Sequence, residues 1–183
     1  GALGENPLVR QAFRLTTNRQ ELLDVVQEGL GVVGNNNPLG PKYGDFYTDV
    51  SDDVYDPEAA CALILEATGE ERISSEFYVS LDFANYADLG LALRDQWAQG
   101  CIDVEVIERD PGLYYGEGEW LEVDLGITGW GDRPVPSYFV EAFLPDAPFN
   151  ETHFADDEVT ALIEQANTTL DTTARAEIYT QVA

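Results

Sequence analysis

Two spacings of apolar residues alternate along this chain, one near 3.6 and one of 2, and they mark helices and strands in turn. In "NRQELLDVVQEG" Leu22, Leu23, Val25 and Val26 supply one apolar face. Asn18 stands at the N-cap with Glu21 three positions on, a capping-box spacing, and Gly29 sits where a C-terminal glycine belongs. "YDPEAACALILEATG" predicts a second helix, capped by Asp56, with Pro57 in the first turn and Ala60, Leu63, Ile64 and Ala67 at i, i+3, i+4 and i+7. "SEFYVSLD" switches to period two, with Phe77, Val79 and Leu81 on one face. "ADLGLALRDQWAQG" returns to a helical stripe of Leu89, Ala92, Leu93 and Trp97, and "CIDVEVIE" alternates again through Ile102, Val104 and Val106.

Strand, helix and strand with short links make a βαβ unit, which implies parallel strands and a right-handed crossover. A third alternating run, "WLEVDLGITGW", puts Val123, Leu125 and Ile127 on one face. Three helical stretches follow: Ser137 to Leu144, Asp157 to Asn167, and one from Thr172. The sum is a three-layer α/β domain with a mixed, partly parallel sheet and flanking helices, a single domain over residues 1–183.

Charge narrows the partners. Asp and Glu number 35 against 9 Lys and Arg, a formal net charge of −26, and only Lys42 is a lysine. Nucleic acid binding needs a basic footprint, so it is excluded. The acids are spread along the length and 11% of residues are aromatic, which reads as a solvated acidic surface on a folded domain and not as a disordered tail. An almost lysine-free acidic surface matches adaptation to molar salt, where screening quenches self-repulsion. No initiator Met, signal-like start or membrane-length apolar run is present, so the chain reads as an excised piece. Cys61 and Cys101 are too few for a disulfide scaffold and too far apart for a CxxC site. They are either two buried thiols, the favoured reading, or one closing bridge.

Candidate chemistry is sparse. "GLGVVG", Gly29 to Gly34, fits G-x-G-x-x-G, but its first glycine ends a helix and "NNNPLGP" follows it. A dinucleotide loop needs a strand before it and a helix after it, so that reading fails on both flanks. His153 is the only histidine and lies in a loop, so no His pair can hold zinc; neither a metal nor a cofactor is expected. A carboxylate-based hydrolase stays open as the alternative function, because 35 acids guarantee accidental pairs. "NET" at Asn150 and "NTT" at Asn167 match the glycosylation triplet, which matters only outside the cell. One segment stands out: "GITGWGDRPVPSYF" follows the third predicted strand, and ligands of open α/β sheets bind outside the carboxyl ends of strands. Trp130, Gly131, Asp132 and Arg133 are the parts of a small polar-ligand site; equally, they make a turn with a packed Trp and a surface ion pair.

Several segments, in order, resemble the second lobe of the family 5 solute-binding proteins, the peptide-, nickel- and oligosaccharide-binding receptors of ABC importers. They are "NPLVRQAF…TTNRQELLDVVQEGLG", "YDPEAACALILEATG", "QGCIDVEVIERDPGLYY", "GITGWGDRPVPSYF" and "DAPFNETHFADDEVTALIEQA…DTTARAEIYTQVA", the last with Asp171 and Arg175 as D-x-x-x-R. The resemblance implies a periplasmic-binding-protein-like lobe, not an enzyme. It implies that the lobe binds peptides or similar small polar solutes in a cleft completed by a partner lobe. A monomeric receptor, extracellular and either membrane-anchored as a lipoprotein or held in a periplasm-equivalent space, would deliver them to ABC permease subunits. The peptide receptors carry W-x-x-D, whose Asp pairs with the peptide amine. Here Trp130 aligns, the ungapped fourth position is Arg133, and a one-residue gap restores an acid at Asp132. The second acid, before the following proline, is replaced by Val135 before Pro136. A lobe that kept the fold only as an interaction surface is a third reading.

Overall fold

A computed structural model describes residues 2–34, 36–50, 54–131 and 133–183, which group into two compact units: Gly1–Val33 with Asp53–Gly129, and Gly34–Asp52 with Trp130–Ala183. The first holds α1 (Ala2–Glu5), α2 (Pro7–Leu15), α3 (Arg19–Val26), α4 (Pro57–Thr68), β1 (Ile73–Ser80), α5 (Tyr86–Gln99), β2 (Ile102–Arg109), α6 (Pro111–Tyr114) and β3 (Gly126–Ile127). The predicted βαβ unit is β1–α5–β2. Its strands pair in parallel from Ile73 opposite Ile102 to Ser80 opposite Arg109, and β3 adds in parallel on the other side of β1. Period two aims Phe77 and Val79, with Ile102 and Val104, at Val9 and Ala12 of α2, Ala60 and Ile64 of α4, and Leu93 and Trp97 of α5, forming one buried cluster. Trp97 meets Phe13 and Phe77 with ring centroids 4.9 Å away in each case, and its indole N–H donates to Thr17 Oγ1 at 2.9 Å.

The caps fall where the sequence puts them. Asp56 accepts from the Ala59 N–H at 2.9 Å, and Gly69 ends α4 in the left-handed region at φ 75°. Asn18 accepts from the Glu21 N–H at 3.1 Å, but the reciprocal half of the capping box is rewired. The Asn18 N–H donates to Gln96 Oε1 on α5 at 3.0 Å, and Gln96 Nε2 donates in turn to Glu21 Oε2 at 3.0 Å. At the other end of α3 the left-handed turn begins one residue earlier than expected, at Glu28 (φ 53°), and continues through Gly29.

Three expectations need correction. Leu81 lies past the end of β1 and is exposed, because β1 stops at Ser80. The third strand is two residues long, since Glu119–Leu121 form a 3-10 turn that buries Trp120 and only Gly126 and Ile127 pair with β1. Leu125 and Ile127 of the predicted face do pack against the first unit's core, as expected, but the ladder is short. Finally, Cys61 and Cys101 are not thiols. They form a disulfide, their Cα atoms 5.1 Å apart, tying α4 to the residue before β2. That distance sits within the range of about 4.4–6.8 Å that a bridge requires, and chain folding over 40 residues of separation produces it.

The second unit has no strand among its described residues. A pair of 3-10 turns over Pro41–Phe46 joins α7 (Val135–Ala142), α8 (Asp157–Thr168) and α9 (Thr172–Val182). Asp156 caps α8 through the Glu158 and Val159 N–H groups at 2.9 Å each, and Asp171 caps α9 through Ala174 at 2.8 Å. Its core is Leu39, Phe139, Ile163, Ala166, Ile178 and Tyr179, with Phe139 stacked on Tyr179 at 5.1 Å and Phe46 edge-on to Tyr179 at 5.5 Å. Among the described residues of both units, no helix is long and apolar enough to cross a membrane.

Candidate ligand-binding segment

The segment that leaves β3 straddles the division between the units: Gly126 to Gly129 belong to the first, and Trp130 onward to the second. In the first unit, the carboxyl ends of the parallel strands carry aromatic and charged groups. Phe83 and Tyr86 follow β1 with their rings 4.9 Å apart, and Phe83 is half exposed. A Cβ at Gly129 would overlap the Tyr86 hydroxyl and press on the Phe83 ring at 3.3 Å, so a larger residue there needs the Tyr86 side chain to shift. Burial pushes the Tyr86 hydroxyl above its ordinary pKa, and Asp82 and Tyr115 add to the rise. At the end of β2, Arg109 lies over the Tyr78 ring at 4.8 Å, and its Nε donates to both Glu119 oxygens at 2.9 and 3.1 Å. That guanidinium is committed to its own unit.

In the second unit Trp130 is a half-buried hub. Its indole N–H donates to Glu151 Oε1 at 3.1 Å, and its ring meets Tyr138 (5.0 Å) and Phe149 (6.0 Å) edge-on. Those contacts fix the ring plane, which a binding platform needs before ligand arrives. The Arg133 guanidinium lies 5.4 Å from the Trp130 ring centroid, and its Nη1 stands 3.1 Å from Glu141 Oε2. The pair is at ion-pair distance but off the direction a hydrogen bond requires, and Arg133 Nε finds no hydrogen-bond partner among the described residues. Gly131 is exposed with open space where a Cβ would stand, so no steric reason demands glycine there. Asp132 lies outside the described residues.

The cluster suits binding better than bond-breaking. Its hydroxyl, Tyr138, is pushed above its ordinary pKa by burial first, with Glu151 and Tyr43 adding to the rise, so it stays protonated at neutral pH. His153 is exposed in a left-handed turn (φ 52°), where its backbone N–H donates to the Asn150 carbonyl at 3.1 Å. Among the described residues, no three His, Cys, Asp or Glu side chains gather to hold a metal.

Glu141, Glu151, Tyr138 and Phe149 escaped the sequence reading. Glu141 sits on α7, eight positions beyond Arg133, and that spacing is not a helical neighbour relation because Arg133 precedes the helix. Glu151 is 21 positions from Trp130, and only the tertiary fold pairs them. A weak signal did exist, since three aromatics crowd into "YFVEAF".

The profile of the bacterial extracellular solute-binding proteins, family 5, middle region, matches residues 3–151. The chain is 25% identical to heme-binding protein A of Haemophilus influenzae over 97% of its own length, and 27% identical to the dipeptide-binding protein of Escherichia coli over 94%. In both cases it spans 34% of the relative, about a third of that protein's length. All of the chain superposes on 36% of a periplasmic binding protein, DppA of Helicobacter pylori in complex with the peptide STSA, with a TM-score of 0.90 and 18% identity, which establishes the chain's α/β fold.

Proposed function

We propose, from the premise that this chain belongs to the bacterial extracellular solute-binding proteins of family 5, that it is one lobe of a receptor that captures peptides outside the cell for an ABC importer. The observation that carries the reading is the family match itself, whose bounds, residues 3–151, enclose the Trp130 segment. Peptide is favoured because the dipeptide-binding protein of Escherichia coli and the peptide-bound DppA of Helicobacter pylori are among the matched proteins. The ligand would lie in a cleft completed by a second lobe, and the protein would act as a monomer, without enzymatic chemistry, beside its permease subunits. Anchoring as a lipoprotein belongs to this proposal. The hydrolase alternative gains no support from the matched proteins.

Trp130, Gly131, Asp132 and Arg133 are this lobe's proposed contribution. Trp130 offers a ring face to ligand backbone, a contact that needs no particular side chain. Glu141 engages Arg133 already, which supports Asp132 as the group that takes a ligand amine. Titration of a peptide library into the full-length receptor tests this at fixed molar salt. Asp132→Ala should weaken affinity by about 2–5 kcal/mol, the cost of leaving a ligand charge without its partner, and Arg133→Ala should change it little. A change below threefold for both variants would reduce the segment to a packed turn.

The charge of −26 is proposed as adaptation to high salt. Self-repulsion should be relieved only as the screening length shrinks, so Tm should climb steadily from dilute buffer to molar KCl. A flat profile contradicts it.

A further inference from the structure

We infer that Asn167, and not Asn150, is the attachment point for an N-linked glycan. Two triplets in the sequence offer the required asparagine and hydroxyl, Asn150-Glu151-Thr152 and Asn167-Thr168-Thr169, and the structure separates them. Asn150 is 7% exposed, and its amide is fully committed. Its Nδ2 donates to the Leu144 carbonyl at 3.1 Å and to the Phe154 carbonyl at 2.8 Å, while its Oδ1 accepts from Thr152 Oγ1 at 3.2 Å and the Phe154 N–H at 3.0 Å. Attaching a sugar to that nitrogen removes a donor from a buried site, leaves a carbonyl unsatisfied and has no room for the saccharide. This asparagine is a structural staple of the loop.

Asn167 is the opposite case. It lies on the exposed side of the last turn of α8, one residue before the helix ends. Thr169, the hydroxyl-bearing third position, is already extended (φ −85°, ψ 113°), and Leu170 beyond it is 91% exposed. The last turn of a helix is its least secured part, so the triplet can open into the extended form a transferase grips without disturbing the core residues Ile163 and Ala166. Acceptor chemistry would run on the Asn167 side-chain amide. Its Nδ2 forms a bond to the anomeric carbon of a lipid-phosphate-linked oligosaccharide. The bond from that carbon to the phosphate oxygen breaks, the lipid phosphate departs with the electron pair, and the amide gives up one proton. No oxidant or reductant is needed. The Cys61–Cys101 disulfide supports the compartment, since such bonds persist outside the reducing cytoplasm. The inference is independent of which ligand the receptor binds.

Glycopeptide mass spectrometry of the full-length protein, recovered from the surface of its own cells, decides the matter. The peptide containing Asn167 should carry a saccharide mass, and the one containing Asn150 should not. N167Q and T169A should each abolish the added mass, whereas T168A and T169S, which keep the acceptor and the third-position hydroxyl, should retain it. Asn167 is exposed, so N167Q leaves the fold intact. An unmodified Asn167 in the wild-type protein overturns the inference, as does sugar on Asn150 or sugar that survives T169A.

Discussion

In the first unit, Phe77 and Val79 lie under α5 on a parallel ladder whose register runs through eight residue pairs, and a disulfide pins α4 to the start of β2. In the second, Phe139, Tyr179, Phe46, Tyr138 and Trp130 meet face and edge among three helices, with no strand and no disulfide among the described residues. Backbone hydrogen bonds repeat at a fixed interval, so they hold one geometry and leave a periodic trace in the sequence. Ring contacts tolerate many angles and join residues at irregular separations. The proposed ligand segment sits in the unit built the second way.

The most severe way to break this contrast is to hollow the ladder. Phe77 is 1% exposed, and Phe77→Ala should cost about 3–5 kcal/mol, the usual range for removing a fully buried ring. Hydrogen exchange read by mass spectrometry should show α2, α4 and α5 losing protection while α8 and α9 keep theirs. Equal loss everywhere would mean that the two units unfold as one and that the comparison has no energetic content.

Next comes the covalent link. Reducing Cys61–Cys101, or replacing both residues by serine, should lower stability by about 2–4 kcal/mol, because the bridge limits the freedom of the unfolded chain across 40 residues. The shift in urea midpoint should again appear in first-unit amides. An unchanged midpoint would leave the ladder as the sole source of the first unit's rigidity.

The smallest effect sharpens the second unit. Tyr138 has its pKa raised above the ordinary value of about 10, by burial ahead of Glu151 and Tyr43. The unfolded chain therefore ionises this group first. Its contribution to stability is fully present below pH about 10 and is lost as pH rises through the higher folded-state value. Urea unfolding followed between pH 9 and 11.5 should show that decline, and Tyr138→Phe should flatten it. A decline of the same steepness in the variant would assign it elsewhere, to Tyr179 of the same unit or Tyr86 of the first, whose hydroxyls burial also raises.

What the sequence disclosed follows the same physical line. Asn18, Asp56 and Pro57 act within four residues of themselves, and each stands where its local chemistry places it. β1, α5 and β2 were legible because burial alternates at the period of the element. The run from Trp120 to Ile127 misled because its alternating Leu125 and Ile127 do pack on the first unit's core, while only Gly126 and Ile127 pair with β1 and the run opens in a 3-10 turn. The disulfide, the Glu151 acceptor and the Glu141 counter-charge were illegible, since each depends on where the chain returns after 8 to 40 residues. Trp130 was found because it follows a strand end, a topological cue, while what orients it was not.

Gln96 sets an order of events. The helix that opens with Asn18 is eight residues long and buries no side chain completely, so its own turns cannot sustain it in water. Its first N–H is received by a side chain 78 positions later. The segment stays wound only with α5 in place, so a helix legible from its own caps owes its persistence to a residue far along the chain.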